Sequence, residues 1–199
     1  MKICIISDVH ANFPALKSIT DYLVSADLVF CLGDYVGYYC FVNETLDFLR
    51  SLRGIFLLGN HDQFLLNGLP SNTNESVRFG IDFAAGTITQ ENKAWLVSLP
   101  LVWGGYFAGK SFLLSHGSPW NPLGDYLYSD SSKIQQLQEF EFDFIAFGQT
   151  HRTLQKRFGE RLAFNPGSVG QSRSEPGMAE AVMLDTKSGS ISCVRKEYD

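Results

Sequence analysis

Three short apolar runs, 2–7, 28–32 and 55–58, are each followed by a polar residue, and those residues, Asp8, Asp34 and Asn60, stand 26 positions apart. An interval of that length holds one crossover helix, two short loops and a strand. The intervening segments agree. Residues 13–26 place Leu16, Ile19, Leu23 and Val24 at helical spacing, and 41–52 reads as a second helix. The runs themselves are nearly continuous in apolar residues rather than alternating, as in parallel strands covered on both faces. The first third of the chain is therefore β-α-β-α-β, with right-handed crossovers. Its three polar residues fall at the carboxyl ends of the strands, the edge where open α/β sheets place their chemistry.

The remainder changes character. Residues 74–98 read as helix with a break near Gly86. Runs 101–107 and 110–115 flank Ala108-Gly109 as a hairpin that leads into Ser115-His116-Gly117. Residues 130–141 look helical, and 142–147 form a strand that leads into Gly148-Gln149-Thr150-His151. Two further hairpins are expected, 153–158 with 161–164 and 178–184 with 190–195. Two βαβ units followed by hairpins predict an α/β fold of two packed sheets with helices outside. No low-complexity linker separates the halves, so a single domain over 1–199 is expected.

A chain of 199 residues, 45% hydrophobic and 19% charged, buries a core without disulfides or structural zinc. Its net charge of −5 weighs against long nucleic acid or an anionic membrane as partner, while leaving room for a local phosphate site. Cys4, Cys31, Cys40 and Cys193 form no CxxC pair and read as buried thiols of a reducing cytoplasm. No window reaches the length of apolar sequence that spans a bilayer. A soluble cytoplasmic protein is expected.

The residues able to ligate metal cluster at run ends: Asp8-x-His10, Gly33-Asp34, Gly59-Asn60-His61-Asp62, Ser115-His116-Gly117 and Gly148-Gln149-Thr150-His151. Singly, each suits a turn or a helix cap. Together they bring two carboxylates, an amide and at least three imidazoles to one sheet edge, a nitrogen and oxygen set for borderline or hard divalent metals. An aspartate between two such ions can hold both through its two oxygens.

In this order the five blocks resemble the calcineurin-like metallophosphoesterases along nearly the whole chain. With the block Asn165-Pro166-Gly167-Ser168-Val169-Gly170, the chain looks like the small bacterial and archaeal phosphodiesterase branch, related to vacuolar sorting protein 29. The resemblance implies a four-layer α/β/β/α sandwich of two mixed sheets flanked by helices. It also implies two divalent ions. The first would be held by Asp8, His10, Asp34 and His151, and the second by Asp34, Asn60, His116 and Gln149. Mn²⁺ is favoured, with Fe, Ni, Co or Zn as alternatives. Water or hydroxide between the metals would attack phosphorus in line. His61 would act beside the phosphate without binding metal, and Asp62 would orient it through its ring nitrogen.

The family usually has a histidine where this chain has Gln149, a weaker donor that would loosen the second metal or favour harder ions. Arg173 offers a fork for a substrate phosphate, and Tyr38 and Trp120 offer aromatic walls beside ligand-bearing turns. The function implied is a metal-dependent phosphoesterase, in particular a phosphodiesterase acting on a small nucleotide or other organic phosphodiester. The alternative, motivated by Gln149, is a catalytically degenerate protein-interaction scaffold. A homodimer is compatible with the sequence, which marks no interface.

Overall fold

The computed structural model describes residues 1–199. The first sheet takes β1 (Lys2–Ile6), β2 (Leu28–Cys31) and β3 (Gly54–Phe56) from the βαβαβ unit. The connections are α1 (Phe13–Ser18) and α2 (Thr20–Ser25), then α3 (Val42–Arg50). α4 (Asn60–Asn67), α5 (Glu75–Thr87) and α6 (Gln90–Val97) carry the chain to the second sheet. That sheet contains β4 (Val102–Phe107), β5 (Lys110–Ser115), β6 (Phe144–Ala146), β7 (Thr153–Phe158) and β8 (Arg161–Pro166), with α7 (Ser132–Gln136) between β5 and β6. β9 (Met178–Asp185) and β10 (Ser190–Glu197) return to the first sheet.

The orders are β10-β9-β1-β2-β3 and β4-β5-β6-β8-β7. β1, β2 and β3 run parallel, as do β5, β6 and β8, while β4, β7, β9 and β10 pair antiparallel. Both sheets are thus mixed, and helices flank them, in the expected four-layer α/β/β/α arrangement. Side-chain alternation explains the layers. Ile3, Ile5 and Phe30 meet Phe112, Phe144 and Phe164 between the sheets. Cys4, Ile6, Val29 and Cys31 turn instead to the helices, against Leu16, Leu46 and Ile81. On the outer face of the second sheet, Leu113, Ile145 and Ala163 pack on Ile134 and Leu137.

Local chemistry moved several boundaries. The helix expected over 13–26 breaks at Ile19, where Ser18 Oγ donates to Ala15 O (2.7 Å) and Thr20 Oγ1 to Leu16 O (3.5 Å), hydrogen bonds that compete with the helical ladder. The break expected near Gly86 falls instead at Ile88-Thr89, because the Thr89 hydroxyl caps α6 by accepting the Asn92 N–H at 3.2 Å. The 130–141 helix shortens to α7 and a 3₁₀ turn, Leu137–Glu139. α4 was not anticipated, since its first turn is the Asn60-His61-Asp62 block itself. No helix is long and apolar enough to cross a membrane.

Candidate metal centre

The parallel strands of both sheets direct their carboxyl ends to one edge. Loops there bring Asp8, His10, Asp34, Asn60, His116, Gln149 and His151 together, all buried. Five of these seven, Asp8 (φ 55°), His10 (53°), Asp34 (59°), Gln149 (65°) and His151 (55°), occupy the left-handed region. Such backbone costs on the order of 1–2 kcal/mol for a residue with a Cβ and persists only where its surroundings impose it. Here, Asp8 N–H donates to Gly33 O (3.0 Å), His10 N–H to Asp34 O (2.9 Å) and Arg173 N–H to His151 O (2.8 Å). The Asn165 amide donates to Gly148 O (2.7 Å) and Thr150 Oγ1 (3.1 Å), and Ser168 Oγ to Asp8 O (2.7 Å). The Asn165-Pro166-Gly167-Ser168 turn therefore braces the loops carrying Asp8 and His151.

Each of three imidazoles commits Nδ1 to a carbonyl: His10 to Val36 O (3.0 Å), His116 to Leu32 O (2.9 Å) and His151 to Gln171 O (2.9 Å). That keeps a hydrogen on Nδ1 and turns Nε2 inward, a lone pair in the neutral ring and a donor in the imidazolium. The inward atoms crowd. His10 Nε2 lies 3.0 Å from His151 Nε2, and His116 Nε2 lies 2.9 Å from Asn60 Oδ1. Asp8 Oδ2 accepts the Gln149 N–H at 3.1 Å, while Asp8 Oδ1, 3.3 Å from His151 Nε2, is buried with no hydrogen-bond donor. Inward Nε2 atoms around an orphaned carboxylate oxygen suit divalent cations, which displace any proton held there. Asp8, His10 and His151 form one group able to hold an ion, and Asp8, Asp34 and His116 form another.

Asp8 belongs to both groups, and Asp34 turns one carboxylate oxygen toward the cluster, where the charge argument uses two. Asp34 Oδ1 accepts the His61 N–H at 2.8 Å, at the positive end of α4. Its Oδ2 faces His116 (3.4 Å), His10 (3.7 Å) and His61 (3.9 Å). Burial opposes ionisation of Asp34 and Asp8, but the neighbouring imidazoles prevail and hold both carboxyls below their ordinary value. His116 is pushed up to about 9, since Asp34 and Asp8 outweigh its burial. Burial, with His61 and His151 nearby, holds His10 well below its ordinary value.

Asp62 has a different task from the one expected. Its carboxylate does not meet the His61 ring. It accepts four backbone N–H groups, from Asp34 (2.9 Å), Tyr35 (2.9 Å), Val36 (3.2 Å) and Gly59 (2.9 Å). Burial and the Asp34 charge push its carboxyl up to about 7, but protonation would sacrifice at least one of those hydrogen bonds. Asp62 thus locks the Asp34 loop against the start of α4. His61 Nδ1 is buried without a partner and faces Gly37, where a Cβ would sit 2.3 Å away. His61 Nε2 also lies within reach of an ion shared with His10 and Asp34.

Gln149 donates its amide to Leu123 O at 3.4 Å. Its Oε1 is buried with no partner beside Gly117, where a Cβ would come within 2.5 Å of it. A pocket of about 290 Å³ opens next to the cluster, lined by Tyr38, Asn60, His61, Phe64, Tyr126 and Arg173 among others. Tyr38 and Arg173 are thus placed beside the centre. Trp120 is not: its indole packs on Phe140 (centroids 5.2 Å apart), and Tyr126 and Phe64 supply aromatic wall instead. Tyr126, like Tyr38 and Trp120, is an aromatic of a rim loop, whereas Phe64 lies in α4 and carried no signal.

A family model described as the calcineurin-like phosphoesterase superfamily domain matches residues 1–189. The uncharacterized protein MJ0912 of Methanocaldococcus jannaschii is 30% identical over 217 residues, covering 99% of this chain and 88% of its own. A crystal structure of a metallophosphoesterase from Sphaerobacter thermophilus superposes with a TM-score of 0.85 at 28% identity, covering 100% of this chain and 88% of that one. The fold likeness extends to an archaeal phosphodiesterase (TM-score 0.60, 16% identity, 98% and 99% covered). It also extends to zinc-complexed Vps29 from Entamoeba histolytica (0.56, 19%, 100% of both chains). With a match over nearly its full length, this chain belongs to the calcineurin-like phosphoesterase superfamily.

Proposed function

We propose that the protein is a dinuclear, divalent-metal-dependent phosphodiesterase of the cytoplasm, acting on a small organic phosphodiester. The observation that carries this reading is the set of inward Nε2 atoms of His10, His116 and His151, each locked by a carbonyl, around Asp34 Oδ2 and the orphaned Asp8 Oδ1. Divalent ions bound there supply Lewis acidity toward phosphoryl oxygens and a water of lowered pKa.

The chain's own groups do the rest. Asp8, His10, Asp34 and His151 form one ligand set. Asp34, Asn60 and His116 form the other, with Gln149 Oε1 as an available fourth donor. Mn²⁺ suits a site in which an amide replaces an imidazole. Burial lowers His61, so it meets substrate as a neutral imidazole and steadies the phosphoryl or leaving oxygen through one N–H. Arg173, exposed at the pocket rim, forks onto a phosphate oxygen, and Tyr38 and Tyr126 flank the organic group. Cys4 and Cys31 are buried as expected, their thiols pushed up to about 12 by burial, whereas Cys40 and Cys193 are exposed, because they lie in a loop and on the open face of β10.

The test is hydrolysis of bis-p-nitrophenyl phosphate after loading with Mn²⁺, Fe²⁺, Ni²⁺, Co²⁺ or Zn²⁺. Chelator-sensitive turnover supports the reading, and none with any metal sinks it. A second reading, a binding scaffold of the same fold, draws on α5, which exposes Phe79 (70%) and Phe83 (38%) one helical turn apart. It requires no turnover with any ion.

A further inference from the structure

Two pockets flank the rim segments 126–128 and 173–174. The first is the metal-centre pocket, lined in part by Tyr126 and Arg173. The second, about 410 Å³, is lined by Tyr128, Thr150, Arg152, Gln155 and Ser174 among others. Neighbouring residues divide between them: Arg173 serves the first and Ser174 the second, Tyr126 the first and Tyr128 the second. His151 belongs to the ligand cluster, while Thr150 and Arg152 on either side of it line the second pocket. The Tyr126 and Tyr128 rings lie nearly parallel, 14° apart with centroids at 6.2 Å, and both are exposed. They form an aromatic ridge leading from one pocket to the other.

Each pocket has one arginine at its lining, and neither is neutralised: the chain's arginine ion pairs involve only Arg50 and Arg195. The second pocket is also braced. Ser174 Oγ accepts the Thr153 N–H at 2.8 Å, and Thr150 Oγ1 accepts the Arg152 N–H at 3.3 Å. A guanidinium over a braced, hydroxyl-lined hollow matches a phosphate, and an aromatic ridge between two such hollows matches a nucleobase.

Building on the phosphodiesterase reading, we propose that the Arg152 pocket is a second phosphate subsite. The substrate is then an organic phosphodiester carrying a further phosphate, as in a 5′-phosphorylated dinucleotide. A cyclic mononucleotide, with its single phosphate, would leave Arg152 idle.

The test crosses two substrates with two proteins. Thymidylyl-thymidine with and without a 5′-phosphate is offered to wild type and Arg152→Ala, with KM from hydrolysis and Kd by calorimetry on the phosphorothioate analogues. In wild type the 5′-phosphate should lower KM and Kd about tenfold, the scale of one charge-assisted contact. In Arg152→Ala the two substrates should converge, and Arg152→Lys, which keeps charge but not the fork, should restore part of the difference. A 5′-phosphate without effect in wild type, or with an undiminished effect in Arg152→Ala, overturns the subsite. Absence of hydrolysis of these dinucleotides and of bis-p-nitrophenyl phosphate would instead defeat the phosphodiesterase reading, and the calorimetric comparison would still decide the subsite.

Discussion

His10 Nε2 and His151 Nε2 face each other at 3.0 Å, and neither ring can turn away, because Val36 O and Gln171 O hold their opposite nitrogens. Two lone pairs at that distance repel unless a cation or a proton stands between them. Metal removal should therefore weaken the fold as well as the chemistry. An ion at a hundred times its Kd stabilises by about 2.7 kcal/mol. For a chain of this size that is about 5–10 °C in Tm. Calorimetric melting with and without chelator checks it. His151→Ala, which dismantles the opposition, should shrink the chelator effect, and an undiminished effect would place the ion elsewhere.

Asp62 is the keystone of the Asp34 loop, and its removal should be felt in stability. An amide at this position would turn two donor hydrogens toward backbone N–H groups that now have acceptors. Asp62→Asn should cost about 3–5 kcal/mol, the range for breaking a buried charged network. Urea unfolding of the metal-free protein measures this without reference to activity. A loss under about 1 kcal/mol would mean the four N–H groups find other partners.

The apolar runs and the 26-residue spacing made the first sheet and its functional edge legible, because a parallel strand buried on both faces leaves an unbroken hydrophobic signature. The residues that gather at this edge were legible by type and position. Their left-handed backbone at Asp8, His10, Asp34, Gln149 and His151 was not, since only surroundings distant in sequence impose it on residues other than glycine. The same limit misassigned Asp62. The family resemblance implied a ring contact with His61, whereas the chain turns into α4 there and sends the carboxylate back to residues 34–36. Trp120 lies in a turn that shares the ligand-bearing edge, and packing on Phe140, invisible in sequence, draws it away.

His61 should separate catalysis from metal binding. Its N–H anchors on Asp34 Oδ1, and its ring reaches the pocket. His61→Ala keeps that backbone contact, so metal content by elemental analysis should stay close to wild type. Turnover should fall roughly 10²–10³-fold where the hydrogen bond to the developing oxyanion matters, and less with p-nitrophenolate as leaving group. Loss of an ion on this substitution would show that the ring closes the group formed with His10 and Asp34.

The metal-free protein should lose stability on the alkaline side. His116 is held at about 9 by Asp34 and Asp8, above its ordinary 6.5, and as an imidazolium it donates to Leu32 O and Asn60 Oδ1. A raised folded pKa gives stability that is full below 6.5 and is lost as pH rises toward and through about 9. The span corresponds to about 3 kcal/mol. An ion at the second position must displace that proton, so its apparent affinity should rise about tenfold per pH unit within the window and level off above it. Urea midpoints across pH, with and without metal, distinguish the two: a metal-free curve as flat as the loaded one would remove the proton from His116.

Gln149 should set how tightly a second ion is held. Its Oε1 is buried and unpartnered, while its amide nitrogen is tied only by a 3.4 Å contact to Leu123 O, so the side chain can offer its oxygen at little cost. An imidazole is a better donor to borderline ions than an amide. Gln149→His should tighten the second site alone, zinc more than manganese, and leave the set of Asp8, His10, Asp34 and His151 unchanged. Turnover at saturating metal is free to move in either direction, because only interactions stronger in the transition state raise the chemical rate. Gln149→Ala should loosen the same site without altering the first. Calorimetric metal titration of wild type and both variants reads the two affinities separately. A second-site affinity that is the same in all three would mean that Oε1 faces Gly117 to no purpose in metal binding, and the second ion would then rest on Asp34, Asn60 and His116.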